Sequence, residues 1–416
     1  MNDTKRKLAT AIATGALLLN AFAPLAMANT TIQISGNGSS SDNTANVDVD
    51  QSTTVVQNNT ANVTNNVDVD ADTGDNDAED NTGGDVSIET GDADVNVSVS
   101  NTLNSNSANV DCGGCQTGDT EVLIQGNGTH SDNDANLNLT INTFVGQFND
   151  ADVDNDVDVD ADTGDNDAED NTGGDVSIDT GDASVKVSVS TTANANWANV
   201  GSDGNGGDLS LRILGNGSWS DSTINLDLDS SVVLVQDNYA DVDNDVDVDA
   251  DTGDNDAEDN TGGDVSIDTG DADVDADVDN AVNFNWADVN CGCLFDDLLA
   301  KIDGNGTDSD NDINATLSFN DNEEKEGSFQ ENDANIDNDL DDLDADTGGN
   351  DNEDNTAQGD GDPSIETGDA DVDVDVNNSG NVNVLGDADF EFSSFDFDIE
   401  FSLSLSELLG LLGLLG

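Results

Sequence analysis

Basic residues are nearly missing from this chain of 416 residues: Lys and Arg number 7 against 93 Asp and Glu, a formal net charge of -86. A surface of that sign repels nucleic acid and anionic bilayers, both polyanions, and leaves cations as the electrostatic counterpart. Histidine is scarcer still. His130 stands alone, so no conventional zinc-hydrolase site can be assembled, and the equivalent places in other copies of its phrase hold Ser40, Trp219 and Asp308, as a solvent-facing turn position would. Proline occurs twice, at Pro24 and Pro363, so almost nothing interrupts strand pairing. Aromatics make up 4% of the chain, too few to fill a sandwich core between two facing sheets. Val, Leu, Ile and Phe together reach only about a fifth to a quarter of the residues, close to the composition at which disorder sets in, so a disordered acidic chain is the competing expectation. Carboxylate pairs are everywhere and none stands apart, which points to a protein that is not an enzyme.

Long apolar runs are also missing beyond the start. Lys5, Arg6 and Lys7 precede a short apolar stretch over residues 8–25, and Ala26-Met27-Ala28 fits the small-residue cleavage rule. The expectation is a signal peptide over residues 1–28 and a secreted or cell-surface protein. Residues 403–416 are too few to span a bilayer and include Glu407, so no transmembrane span is expected after cleavage. Cysteine is confined to two tight pairs, Cys112 with Cys115 and Cys291 with Cys293. In an exported chain these read as local loop disulfides, with metal binding or interchain bonding as alternatives.

What the sequence has in abundance is itself. The phrase VDVDADTGDNDAEDNTGGDVSIETGDADVNVSV begins at Val67, returns with small changes at Val157 and Val246, and survives in worn form near Asp342. A tandem period of roughly ninety residues marks stacked supersecondary units, and such chains build extended surfaces. The expected divisions are repeats over 29–111, 112–200 and 201–290, a degenerate repeat over 291–385, and an apolar tail over 386–416.

Inside each unit a shorter beat of about sixteen residues is marked by Ala45, Ala61, Ala78, Ala93 and Ala108, and by Ala135, Ala151, Ala168, Ala183 and Ala198 in the next copy. Each beat reads as a strand plus a turn. The strands follow from alternation: Val67-Asp68-Val69-Asp70-Ala71-Asp72 and Asp94-Val95-Asn96-Val97-Ser98-Val99 put apolar groups on one face at period two. Thr73-Gly74-Asp75-Asn76, Thr82-Gly83-Gly84-Asp85 and Thr90-Gly91-Asp92 supply turns. An all-β solenoid, with small Val and Ala side chains stacked between coils, fits best; a string of β-sandwich domains is the alternative. Trp197 and Trp286, near repeat ends, read as junction packing.

Carboxylates recur at fixed spacing. Asp68, Asp70, Asp72 and Glu79 occupy positions 1, 3, 5 and 12 of a twelve-residue window; Asp158, Asp160, Asp162 and Glu169, then Asp247, Asp249, Asp251 and Glu258, then Asp342, Asp344, Asp346 and Glu353 repeat it. The window resembles the calcium loop of EF-hand proteins, with the turn glycine one place late and no flanking helices. The resemblance implies calcium held by oxygen ligands; the plainer alternative is a solvated outer face. Stacked in register about 4.8 Å apart, each pair of like charges costs roughly 0.9 kcal/mol even at water's dielectric, so a folded rod of this composition is expected to need divalent cations or high salt.

After the fourth repeat, Phe395, Phe397, Ile399, Phe401, Leu403 and Leu405 alternate with Asp, Glu or Ser. This amphipathic strand reads as a terminal cap or as a segment through which the protein self-assembles. With its leader, repeats and acidic loops, the chain resembles the broad class of secreted, Asn/Asp/Gly-rich tandem-repeat proteins of prokaryotic cell surfaces. That resemblance implies a structural or adhesive β-rod; a disordered calcium-binding or mineral-modifying protein is the alternative.

Overall fold

A computed structural model describes residues 30–110, 119–200, 208–289, 297–319, 327–340, 342–356 and 363–386. The four cysteines, the leader and the amphipathic tail lie outside these residues. Within them the chain is an all-β stack of four coils, each made by one ninety-residue repeat, and every pairing between coils is parallel.

The first coil shows the plan. A short strand β1 (Thr30–Ser35) leads through a glycine turn into the long strand β2 (Asp42–Asp72), followed by an acidic loop, a four-residue strand β3 (Val86–Glu89), a Thr-Gly-Asp corner and a return strand β4 (Ala93–Val110). At about 3.3 Å per residue the 31 residues of β2 run about 100 Å. The second coil repeats this as β5 (Thr120–Gln125), β6 (Asp132–Asp162), β7 (Val176–Asp179) and β8 (Ala183–Val200). The third does so as β9 (Leu209–Leu214), β10 (Asp221–Asp251), β11 (Val265–Asp268) and β12 (Ala272–Val289). In the fourth, β13 (Leu298–Asp303) is followed by the described parts of the long strand, β14 (Asp310–Phe319), β15 (Gly327–Asp339) and β16 (Leu343–Asp346), then β17 (Ser364–Glu366) and β18 (Ala370–Leu385). Each element stacks on its copies to give four parallel sheets.

The sixteen-residue beat is not a strand plus a turn. Ala45 and Ala61 lie on one uninterrupted strand, and so do Ala93 and Ala108. Alanine recurs because these inward positions meet the opposite wall closely: Ala151 packs with Val153, Ala193 and Val282 between the long and return strands. Inward Val and Ala do stack from coil to coil, as in the cluster of Val157, Val159, Val185, Val187, Val189, Val246 and Val248.

More than a third of the buried residues are polar, which the alternation of Val with Asp does not announce. Asn149, Asn155, Asn196, Asn238, Asn244 and Asn285 are buried. Asn196 accepts from Asn106 (3.1 Å) and Asn149 (2.9 Å) and donates to Asn238 (2.8 Å) and Asn285 (2.9 Å). Such amide ladders run along the stack and across it, separating the apolar clusters into layers. Gln147 seals the cavity between walls by donating to Gln57 (2.7 Å) and to the Trp197 carbonyl (3.0 Å). Since a buried amide without partners costs about 1–3 kcal/mol, a complete ladder fixes register more strictly than Val on Val.

The return strands carry one irregularity. Asn104, Asn194, Asn283 and Asn381 have φ of 55°, 64°, 62° and 57°, and the inward face shifts by one residue there. Asparagine tolerates this left-handed conformation, and Asn194 uses its amide to bond the Tyr239 carbonyl (2.5 Å) and Asn283 (2.9 Å). The tryptophans are not junction packing. Trp197 is 52% exposed, and its ring lies 4.3 Å from that of Trp286 on the outer face of neighbouring coils. His130 sits at φ 55°, a left-handed turn residue, and stacks on Trp219 with ring centroids 6.2 Å apart.

Candidate metal centre

The acidic windows fall where the long strand ends. Asp68, Asp70 and Asp72 are outward residues of β2, in register with Asp158, Asp160 and Asp162 of β6. Asp247, Asp249 and Asp251 of β10 continue these columns, and Asp344 and Asp346 of β16 extend two of them; Asp342 immediately precedes β16. The same alternation that buries Val67 and Val69 therefore lines up like charges.

Burial and neighbouring carboxylates raise the affinity of these columns for protons. Asp162 is pushed up to about 6 and Asp251 to about 7, chiefly by burial, with the Gly164 and Gly253 N–H groups opposing the shift. Asp160 and Asp249 are also raised, first by burial and then by stacked carboxylates, Asp70 for the one and Asp160 and Asp344 for the other. The last aspartate of each window closes a tight turn: the Gly74, Gly164, Gly253 and Gly348 N–H groups donate to Asp72 (2.7 Å), Asp162 (2.6 Å), Asp251 (2.5 Å) and Asp346 (2.6 Å). The late glycine is explained by stacking. A Cβ on Gly164 would lie 2.0 Å from the carbonyl oxygen of Gly253.

The loop beyond the glycine is held by two asparagine columns, in which Asn76 bonds Asn166 (2.8 Å) and Asn81 bonds Asn171 (2.9 Å), with Asp75 and Asp80 in left-handed conformations at φ 54° and 57°. This scaffold delivers Glu79 to Asp167 and Glu169 of the following coil, with one carboxylate oxygen from each within 4.8 Å of the others. Glu169 meets Asp256 and Glu258 in the same way, and Glu258 meets Asp351 and Glu353. The Glu79, Glu169 and Glu258 carboxyls are raised above the usual range, first by Asp77, Asp167 and Asp256 respectively. Asp167 and Asp256 are raised by burial first, and each has a buried Oδ1 without a hydrogen-bond partner.

Thus the late glutamates of the windows converge, but with aspartates two places before them on the neighbouring coil rather than with Asp68, Asp70 or Asp72 of their own loop. Asp167, Asp256 and Asp351 were missed by a spacing argument confined to one loop. Their signal is Asp77-Ala78-Glu79 and its copies, where period two puts both carboxylates on one side of a residue that is Ala78, Ala168 and Ala257 in the first three coils and Asn352 in the fourth. Groups of three carboxylates, the first two each with one orphaned aspartate oxygen, suit a hard cation of the calcium type, which takes oxygen ligands alone.

Opposing charge is sparse. Among the described residues the ion pairs are Lys186 with Asp275, Arg212 with Glu121, and Lys301 with Asp303. No helix of the described residues is long and apolar enough to cross a membrane. No protein-family model matches the chain, and no curated protein or solved structure matches it either.

Proposed function

We propose that the protein is an extracellular structural or adhesive rod, stiffened by cations bound along its acidic edge. The observation that carries this reading is the in-register stacking of carboxylates, which turns a single acidic loop into a column and gathers Glu and Asp of adjacent coils into shared groups. A coil-on-coil stack with ladders of hydrogen-bonded amides in its interior favours a mechanical role over a disordered ion buffer, because the long parallel sheets leave little backbone free to collapse around ions. Calcium would be held by Glu79, Asp167 and Glu169 and their two successors, each group clamping one coil to the next. The leader-like N-terminus and the resemblance to repeat proteins of prokaryotic surfaces support export.

The test is a thermal melt followed by circular dichroism, with calcium and sodium chloride titrated separately. A gain in melting temperature at low calcium that far exceeds the gain from sodium at equal ionic strength supports clamped coils. Equal gains at equal ionic strength would reduce the acidic edge to a screened, solvated surface. The triple variant E79Q/E169Q/E258Q sharpens the result: it should raise stability in chelator by removing repulsion and abolish the calcium-specific gain.

A further inference from the structure

The two ends of the stack are unlike, and they fit each other. Each return strand packs between the long strand of its own coil and that of the following one: β4 touches β2 and β6, and β8 touches β6 and β10. The last return strand, β18, pairs with β12, and the long-strand pieces it packs on among the described residues are β15 and β16 of its own coil. Its inward valines show the consequence. Val372, Val374 and Val376 are 42%, 42% and 41% exposed, whereas their equivalents Val95, Val97 and Val99 in the first coil are each 8% exposed. At the other end the long strand β2 has, among the described residues, a partner on one edge only, and its inward Val67, Val69 and Ala71 are partly buried. Among the described residues, then, one end has no long strand above its return strand and the other offers a long strand with none below it.

Charge is distributed to match. Residues 51–66 of β2 contain no carboxylate, while the equivalent stretch of β6 holds Asp150, Asp152, Asp154 and Asp156. Asn62 and Asn66 stand in place of the aspartates and donate to Asp152 (2.8 Å) and Asp156 (2.9 Å). The C-terminal end keeps its acids, with Asp337 on β15 and Asp373 and Asp375 on β18. β2 holds no proline and no lysine over 31 residues, two of the usual guards of an exposed edge, and its aspartates stand only at 42–50 and 68–72.

We propose that these ends are an interface between copies of this chain, the first coil of one molecule stacking on the fourth coil of another with the parallel register used inside the molecule. In that register Asn62 lies over Asn335, Thr64 over Asp337 and Asn66 over Asp339, while Asn96 and Ser98 of β4 lie over Asp373 and Asp375. Amide and hydroxyl donors then meet carboxylates along the middle of the long strand, while Asp70 and Asp72 lie over Asp344 and Asp346 and continue the acidic columns of the inner coils. The contact is heterologous and does not close on itself, so it generates a filament. This extends the rod reading along the axis of the stack.

The experiment compares the chain from Asn29 to Gly416 with N62D/T64D/N66D, with N96D/S98D and with a chain ending at Gly386, by sedimentation velocity and negative-stain electron microscopy. Both charge variants install residues of a kind that inner coils carry at the same positions, Asp152, Asp154 and Asp156 in the one case and Asp275 and Asp277 in the other, and melts by circular dichroism report folding separately from assembly. Expected are unbranched filaments of single-molecule width, an apparent association constant lowered about 10-fold or more in each charge variant with the melt retained, and filaments that persist without residues 387–416. A folded chain that stays monomeric overturns the proposal. So do filaments indifferent to both charge variants, and assembly that appears only once residues 387–416 are removed, which would assign the open end to the chain's own tail.

Discussion

At the residue scale the fold is decided by asparagine and glycine. Asn196 makes four side-chain hydrogen bonds to neighbours that are themselves buried, so truncating it strands acceptors and donors in three coils. Asn196→Ala should cost about 3 kcal/mol or more in urea denaturation, above the usual loss for a single hydrogen bond, because the desolvated partners remain. Gly164→Ala should cost at least as much, since its new methyl group would strike the Gly253 carbonyl. Gly91→Ala is the control. A Cβ there meets nothing within 4 Å, and its stability should stay within about 0.5 kcal/mol of the parent. The buried amides were legible in principle: Gln57, Asn59 and Asn65 share the odd-numbered phase of Val47, Val63 and Val67 along β2, which marks them as inward. Polarity argued the other way, and only the presence of an identical residue one coil away makes burial affordable.

At the scale of the element, the end of each long strand concentrates charge that burial makes costly. Asp162 and Asp251 titrate near 6 and 7 in the fold and near the ordinary carboxylate value when unfolded, so the folded state binds more protons across that interval. Their contribution is fully present below about pH 4 and is lost as pH rises through the folded values. In chelator, the melting temperature should therefore rise as pH falls from 8 to 5, opposite to the usual acid destabilisation. D162N/D251N should flatten that dependence, and calcium should weaken it if the cation takes over the neutralisation. The alternation that predicted these strands and the turn signals that ended them were read correctly from β-period patterning. The sixteen-residue beat misled because alanine spacing records where opposite walls come close, not where the chain turns.

At the scale of the whole stack, stability is a sum of coil terms and of the interfaces between coils. The fourth coil, with its return valines exposed, should unfold first; hydrogen exchange is expected to be fastest in β14–β18 and slowest in β6, β8 and β10, and filament formation should slow the terminal coils. The sequence by itself determined that the chain is all-β, that it is repetitive with a ninety-residue period, and that its carboxylates recur in fixed phase, because alternation, turn residues and repetition are local or one-dimensional properties. The tertiary structure alone decided that a whole repeat closes one coil, that asparagines fill the interior, and that Glu79 belongs with Asp167 and Glu169. Those facts depend on which residue lies above which, and parallel stacking brings together atoms ninety positions apart that no single window can contain.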